Sequence, residues 1–265
     1  MIDIGINLAS ERYEHDLDAV IQRAREAQII QLIATGSCRQ SNISSLKIAE
    51  QYPSYIQCTL GIHPHHAQLA TEDDFTYIKE SIQHTNVVAI GETGLDFFRN
   101  LACPKAQEAS FEKHLELAVQ SGKPLFLHQR ASHSRFLPIL KEYRDQLSQV
   151  VVHCFTDNRK ALYDYLDLDL HIGITGWICD ERRGQHLWDL ICDIPKSRLM
   201  IETDGPYLIP RTIQPKPKSN RNEPAYLIHV ANKVAELLQV PTSEIIELTA
   251  KNAIIFFNLV INESK

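Results

Sequence analysis

Short runs of β-branched and aliphatic residues alternate with amphipathic stretches from one end of the chain to the other. The runs at 2–8, 29–35, 57–62, 87–91, 124–128, 149–154, 170–175 and 199–203 are largely apolar, most of them without strict alternation. That is the pattern of parallel strands buried on both faces. Between them, apolar residues recur at helical spacing. Leu17, Val20, Ile21 and Ala24 share one face, as do Phe111, Leu115 and Ala118. Pro104 near the start and Gly122 just past the end punctuate the second of these helices. Strand–helix units of roughly 30 residues, repeated eight times, predict a TIM-type (β/α)8 barrel. An open doubly wound sheet is the rival, but no GxGxxG follows the first run to favour it. With no internal repeat or low-complexity segment, residues 1–265 are expected to form one barrel domain, with C-terminal helices after about residue 224.

The strands stop being apolar in a telling way. Val88-Ala89-Ile90-Gly91 gives way to Glu92, Leu125-Phe126-Leu127 to His128, and Val150-Val151-Val152 to His153. The last run ends Met200-Ile201-Glu202-Thr203-Asp204, and the third in Gly61-Ile62-His63-Pro64-His65. In a barrel these C-terminal ends converge on one mouth, where catalytic residues of the fold sit. Taken singly, each residue has a plainer reading. A strand-end histidine is commonly structural, Glu92 would serve as a helix cap, and Asp204 would start the turn before Pro206. Taken together, two imidazoles and two or three carboxylates suit a divalent cation that polarises an oxygen and activates water. Glu92, His128, His153 and Asp204 are therefore the expected metal ligands, with Asp96 either orienting a ligand or capping a loop.

Composition narrows the setting. The 265 residues are 44% hydrophobic and 23% charged, which fits an ordinary folded chain without long disorder. The net charge of −6 means that the whole molecule repels polyanions. A nucleic-acid substrate then requires a local basic patch or a bound cation. Six scattered cysteines with no CxxC pair suggest reduced thiols, and Cys154 and Cys179 read as small buried hydrophobes. No basic and apolar leader opens the sequence, and the longest apolar stretch, at 253–261, is too short to span a bilayer. A cytoplasmic protein is expected, with that stretch as a buried terminal helix.

Several segments, in order, resemble the TatD family of metal-dependent deoxyribonucleases. They are Gly91-Glu92-Thr93-Gly94-Leu95-Asp96-Phe97, Leu127-His128-Gln129-Arg130, His153-Cys154-Phe155-Thr156, Ile172-Gly173-Ile174-Thr175-Gly176, Ile201-Glu202-Thr203-Asp204-Gly205-Pro206-Tyr207-Leu208 and Arg221-Asn222-Glu223-Pro224. The resemblance runs from Asp3 to the last helix. It implies an amidohydrolase-like barrel and a Mg²⁺-dependent exonuclease removing nucleotides from the 3′ end of single-stranded DNA or RNA. It also implies that Glu92, His128, His153 and Asp204 are ligands. The opening departs from the family's Asp-x-His-x-His, reading Asp3-Ile4-Gly5-Ile6-Asn7. Without those two imidazoles one firm metal site is expected, suited to Mg²⁺ or another divalent cation such as Mn²⁺, and a second only weakly.

In the mechanism these residues suggest, Asp204 accepts the proton of the attacking water, and Glu92 acts beside it at the metal. His63 donates to a phosphate oxygen or replaces a missing ligand; the alternative is a histidine fixed by the Pro64 turn. Arg130, and Arg211, Lys216, Lys218 and Arg221 in the acid-free start of the 206–224 loop, are candidates to position phosphates. Phe155, Trp177 and Tyr207 are candidates to stack on bases, with Tyr207 also a substrate-binding candidate. Three rivals stand beside the nuclease: an amidohydrolase, an aminoacyl-RNA deacylase, and a barrel kept only for binding. The amidohydrolases often carry a lysine where this chain has Glu92. The binding-only barrel gives no reason for polar residues at four strand ends.

Overall fold

A computed structural model describes residues 1–261. Its strands are β1 (Ile2–Ile6), β2 (Gln31–Ala34), β3 (Ile56–Leu60), β4 (Val87–Asp96), β5 (Leu125–Arg130), β6 (Val150–Val152), β7 (His171–Ile174) and β8 (Leu199–Ile201). All seven neighbouring pairs are parallel and follow chain order. Backbone bonds just beyond the last strand draw the two edges together: Asp204 N–H donates to the Gly5 carbonyl at 2.9 Å, and Asn7 N–H to that of Gly205 at 2.8 Å. The result is the (β/α)8 barrel that the alternation predicts.

The helices are α1 (Leu17–Glu26), α2 (Arg39–Gln51), α3 (Glu72–Ser81), α4 (Pro104–Ser121), α5 (His133–Tyr143), α6 (Arg159–Asp167), α7 (His186–Leu190), α8 (Leu227–Leu238) and α9 (Thr242–Phe257). Each of α1–α6 follows the strand of the same number and lays its apolar face on the barrel's outside. Helix α4 starts at Pro104, ends against left-handed Gly122, and buries Phe111, Leu115 and Ala118. Phe111 stacks on Phe136 of α5 with ring centres 5.0 Å apart. A second cluster combines residues from several strands, Ile4, Ile33, Phe126, Val151 and Met200, with Phe256 and Phe257 of α9. Of the terminal apolar stretch expected as a buried helix at 253–261, Ala253, Phe256, Phe257 and Leu259 are buried, but Ile255 and Val260 are exposed and the helix ends at Phe257. No helix among the described residues is long and apolar enough to cross a membrane.

One strand outruns its expected length. The apolar run at 87–91 continues to Asp96 because Thr93, Gly94, Leu95 and Asp96 pair with Leu127, His128, Gln129 and Arg130. The register shifts between Ile90 and Thr93, and Gly91 takes φ +141°, a conformation glycine adopts without steric cost. That irregularity puts Glu92 inside β4, and hydrophobicity alone does not show the pairing beyond it.

Candidate metal centre

The strand ends enclose a cavity of about 380 Å³, lined by His63, Glu92, His128, His153 and Asp204 among others. Glu92 is its hub. Its Oε1 atom lies 2.8 Å from His153 Nε2, 3.0 Å from His128 Nδ1 and 3.3 Å from His63 Nε2. Around a small divalent ion with bonds of roughly 2.1 Å, neighbouring ligand atoms sit roughly 3.0–3.4 Å apart. The spacing around Glu92 therefore fits a cation. His63, Glu92 and His128 each offer a ligand atom within 4.8 Å of the others.

Buried charge makes the cluster self-consistent. Burial alone would raise the Glu92 carboxyl, but the charges of His63 and His153 and hydrogen bonds from His128 and His153 hold it well below the usual carboxylate range. Burial pushes His63 down to about 4. In His128 and His153 the desolvation penalty is outweighed: Asp96 and Glu92 raise the first, and Glu92 and Glu202 raise the second. Asp204 is pushed up to about 8 by burial, with Glu92 and Glu202 adding to it against His153. An acidic cluster in this state is set to exchange protons for a cation.

Neighbouring groups orient the ligands. Asp96 Oδ2 lies 2.7 Å from His65 Nε2 and 3.4 Å from His128 Nε2, so Asp96 faces the site as well as capping the loop. Asn7 turns its amide nitrogen to the site, donating to Asp204 Oδ1 at 3.1 Å and to the Gly205 carbonyl at 3.3 Å. Asp3 staples β1 to the β8 end: Oδ1 accepts from Thr203 N–H at 2.9 Å and Oδ2 from the Thr203 hydroxyl at 2.5 Å.

Two positions apart, Glu202 and Asp204 would share a face of a regular strand, but they go to different places. β8 ends at Ile201, and Asp204 adopts φ +53°. Asp204 lines the cavity, while Glu202, fully buried, turns inward between Gly5 and Gly173. Glu202 Oε1 accepts from Cys154 N–H at 2.6 Å, and Oε2 lies 3.4 Å from His153 Nδ1. Oε2 and that Nδ1 have no hydrogen-bond partner closer in, and both are buried. The His153 ring also stacks on Phe126, with centres 4.5 Å apart.

The substrate-binding candidates separate into two groups. Arg130, Tyr207 and His63 line the cavity, as does Trp177. Arg211 and Arg221 are placed elsewhere. Arg211 forks onto Glu181 with bonds of 2.9–3.2 Å, and Arg221 reaches Asp16 at 2.6 Å and Glu223 at 2.7 Å. Lys216 and Lys218 also lie outside the cavity lining. Phe155 is buried and packs edge-on against Tyr165, so it offers no free face. Cys179 is buried and Cys154 partly so, and all six cysteines are free. His65 also lines the cavity although the expected ligand set leaves it out; its signal in the sequence is a second histidine beyond Pro64.

Comparison with known proteins gives the family and the fold. The sequence model of the family described as TatD related DNase matches residues 2–258. A protein of Edwardsiella piscicida named 3′-5′ ssDNA/RNA exonuclease TatD is 45% identical over 259 residues, covering 98% of this chain and 100% of its own. One of the same name from Erwinia tasmaniensis is 44% identical with the same coverage. Among solved structures, a TatD homolog from Escherichia coli K12 superposes with a TM-score of 0.89 at 26% identity, over 98% of each chain. A guanine deaminase of C. acetobutylicum shares the fold alone, at 10% identity and TM-score 0.61, over 96% of this chain and 65% of its own.

Proposed function

We propose, since the chain belongs to the TatD-related DNase family, that the strand-end site hydrolyses phosphodiester bonds and works as a 3′-to-5′ exonuclease on single-stranded DNA or RNA. The observation that carries this reading is Glu92 Oε1 within 3.3 Å of three imidazole nitrogens, beside Asp204 at the barrel mouth. Glu92, His128 and His153, with His63 as the further ligand, would hold a divalent cation. When bound, it would lower the pKa of a coordinated water and withdraw charge from a phosphoryl oxygen. Mg²⁺ or Mn²⁺ fits the family's chemistry. Three imidazoles beside one carboxylate make the donor set richer in nitrogen than Mg²⁺ usually takes, so Mn²⁺ should bind more tightly.

The side chains divide the remaining work. Asp204, with one oxygen held by Asn7, takes the proton of the attacking water. Asp96 and Glu202 keep His65, His128 and His153 in place. Arg130 and Tyr207 meet the strand at the mouth, whereas Arg211 and Arg221 serve the loops through their carboxylate partners. A cytoplasmic location is part of the same reading.

The test is degradation of a 5′-labelled single strand. Chelator should abolish it, and Mg²⁺ or Mn²⁺ should restore it with products shortening from the 3′ end. Activity that survives chelation, or release of the labelled 5′ nucleotide without a ladder of shortened strands, overturns the proposal.

A further inference from the structure

The rim of the cavity carries rings for which the hydrolytic chemistry has no use. Phe98, just past β4, is 63% exposed. The Arg130 guanidinium carbon lies 4.1 Å from its ring centre and 5.8 Å from that of Trp177. Arg130 and Trp177 line the cavity that holds Glu92. The Arg130 guanidinium thus meets two rings, Phe98 closely and Trp177 less so, at the edge of the catalytic cavity.

The same groups that build the site hold this cluster. Asp96 turns Oδ2 to His65, while its Oδ1 accepts the backbone N–H of Phe98 at 3.0 Å and of Arg99 at 2.8 Å. Phe97 N–H donates to the Arg130 carbonyl at 3.0 Å. Trp177 Nε1 donates to the Arg183 carbonyl at 3.2 Å, and the Arg183 guanidinium lies 4.5 Å from the Trp177 ring centre. Arg211 and Arg221 are tied to carboxylates, whereas Arg130 is held by ring faces. A ring left in water on a well-anchored backbone contributes little to the core. Unpaired bases, unlike those inside a duplex, present faces that such a ring can cover.

We infer that Phe98 stacks on a base next to the scissile phosphate, and that Arg130, steadied by the rings of Phe98 and Trp177, pairs with that phosphate. This rests on the single-strand nuclease reading and adds to it a residue that selects unpaired bases.

The experiment crosses a change in the enzyme with a change in the substrate. Oligodeoxyadenylate and the same strand with abasic sites at its 3′ end are compared with the parent protein, Phe98→Ala and Phe98→Trp. Cleavage is followed with the metal present, and equilibrium binding is measured in chelator. The parent should prefer the base-bearing strand in KM and in affinity by about tenfold, the size of one stacking contact. Phe98→Ala should lose that preference with its melting temperature unchanged, and Phe98→Trp should restore it. If Phe98→Ala keeps the preference, stacking is overturned. Stacking is equally overturned if the variant weakens both strands alike, because Phe98 would then act only through Arg130. A parent that cleaves neither strand overturns the nuclease reading, and this inference with it.

Discussion

Glu202 occupies the space that a side chain on Gly5 would need: a Cβ at residue 5 would overlap Glu202 Oε2 and come within 2.8 Å of Phe126 Cζ. The Asp-x-His-x-His opening that the resemblance leads one to expect would put an imidazole at position 5. In this chain a carboxylate from beyond β8 enters the same corner and reaches His153 Nδ1 at 3.4 Å. Gly173 completes the cradle, since a Cβ there would lie 2.9 Å from Glu202 Oε1. The small residues at positions 5 and 173 and the inward-turned glutamate are parts of one packing solution.

That relationship sets expectations for both partners. Gly5→Ala should lower stability by about 1–3 kcal/mol, the cost of overfilling a packed interior. Glu202→Gln keeps the shape but removes the charge beside His153, and should weaken cation affinity by about 10- to 100-fold. Chemical denaturation checks the first and calorimetric titration with Mn²⁺ the second. A stable Gly5→Ala protein, or unchanged affinity in Glu202→Gln, would show that the contact is incidental.

The arginines should separate by readout. Arg130→Ala removes the cation at the mouth and should raise KM for a single strand about tenfold, the effect of losing one charged hydrogen-bonded contact. Arg221→Ala breaks the links to half-buried Asp16, just ahead of α1, and to buried Glu223, in the loop that leads to α8. It should cost about 1 kcal/mol of stability and raise KM much less than Arg130→Ala. The reverse ranking of the two KM values would return Arg221 to the substrate.

Stability should also fall with acid for a reason outside the catalytic site. His114 is buried; its Nδ1 donates to the Ser110 carbonyl at 2.6 Å and its Nε2 accepts from Ile62 N–H at 3.0 Å. Burial pushes its pKa from the ordinary 6.5 down to about 4. Between those values the unfolded chain binds a proton that the folded chain refuses. The stabilisation is therefore complete above pH 6.5 and is lost as pH falls toward 4, by on the order of 3 kcal/mol in all. His171, lowered to about 4 by burial and by Arg144, adds a loss of the same sign. Denaturant midpoints measured across that window should fall less steeply in His114→Gln than in the parent.

Much of this site is legible in the sequence because a barrel converts a one-dimensional pattern into a place. Glu92, His128 and His153 each end an apolar run, and parallel strands bring such ends to one mouth. Legibility fails where the strand period fails. After Ile201 the chain leaves the sheet, so the different destinations of Glu202 and Asp204 do not follow from alternation. It fails again for charges, because the acid-free start of the 206–224 loop conceals partners at Asp16 and Glu181 on other elements. Phe98 is invisible for a third reason: a lone ring after a strand has no periodicity, and only its place over Arg130 gives it meaning.

Anomalous diffraction from crystals soaked in Mn²⁺ tests the central claim most directly. A peak is expected within roughly 2.0–2.3 Å of a Glu92 oxygen and of nitrogens from His63, His128 and His153. A map from Mn²⁺-active protein with no peak at Glu92, or with its peak at a different set of side chains, would contradict the account.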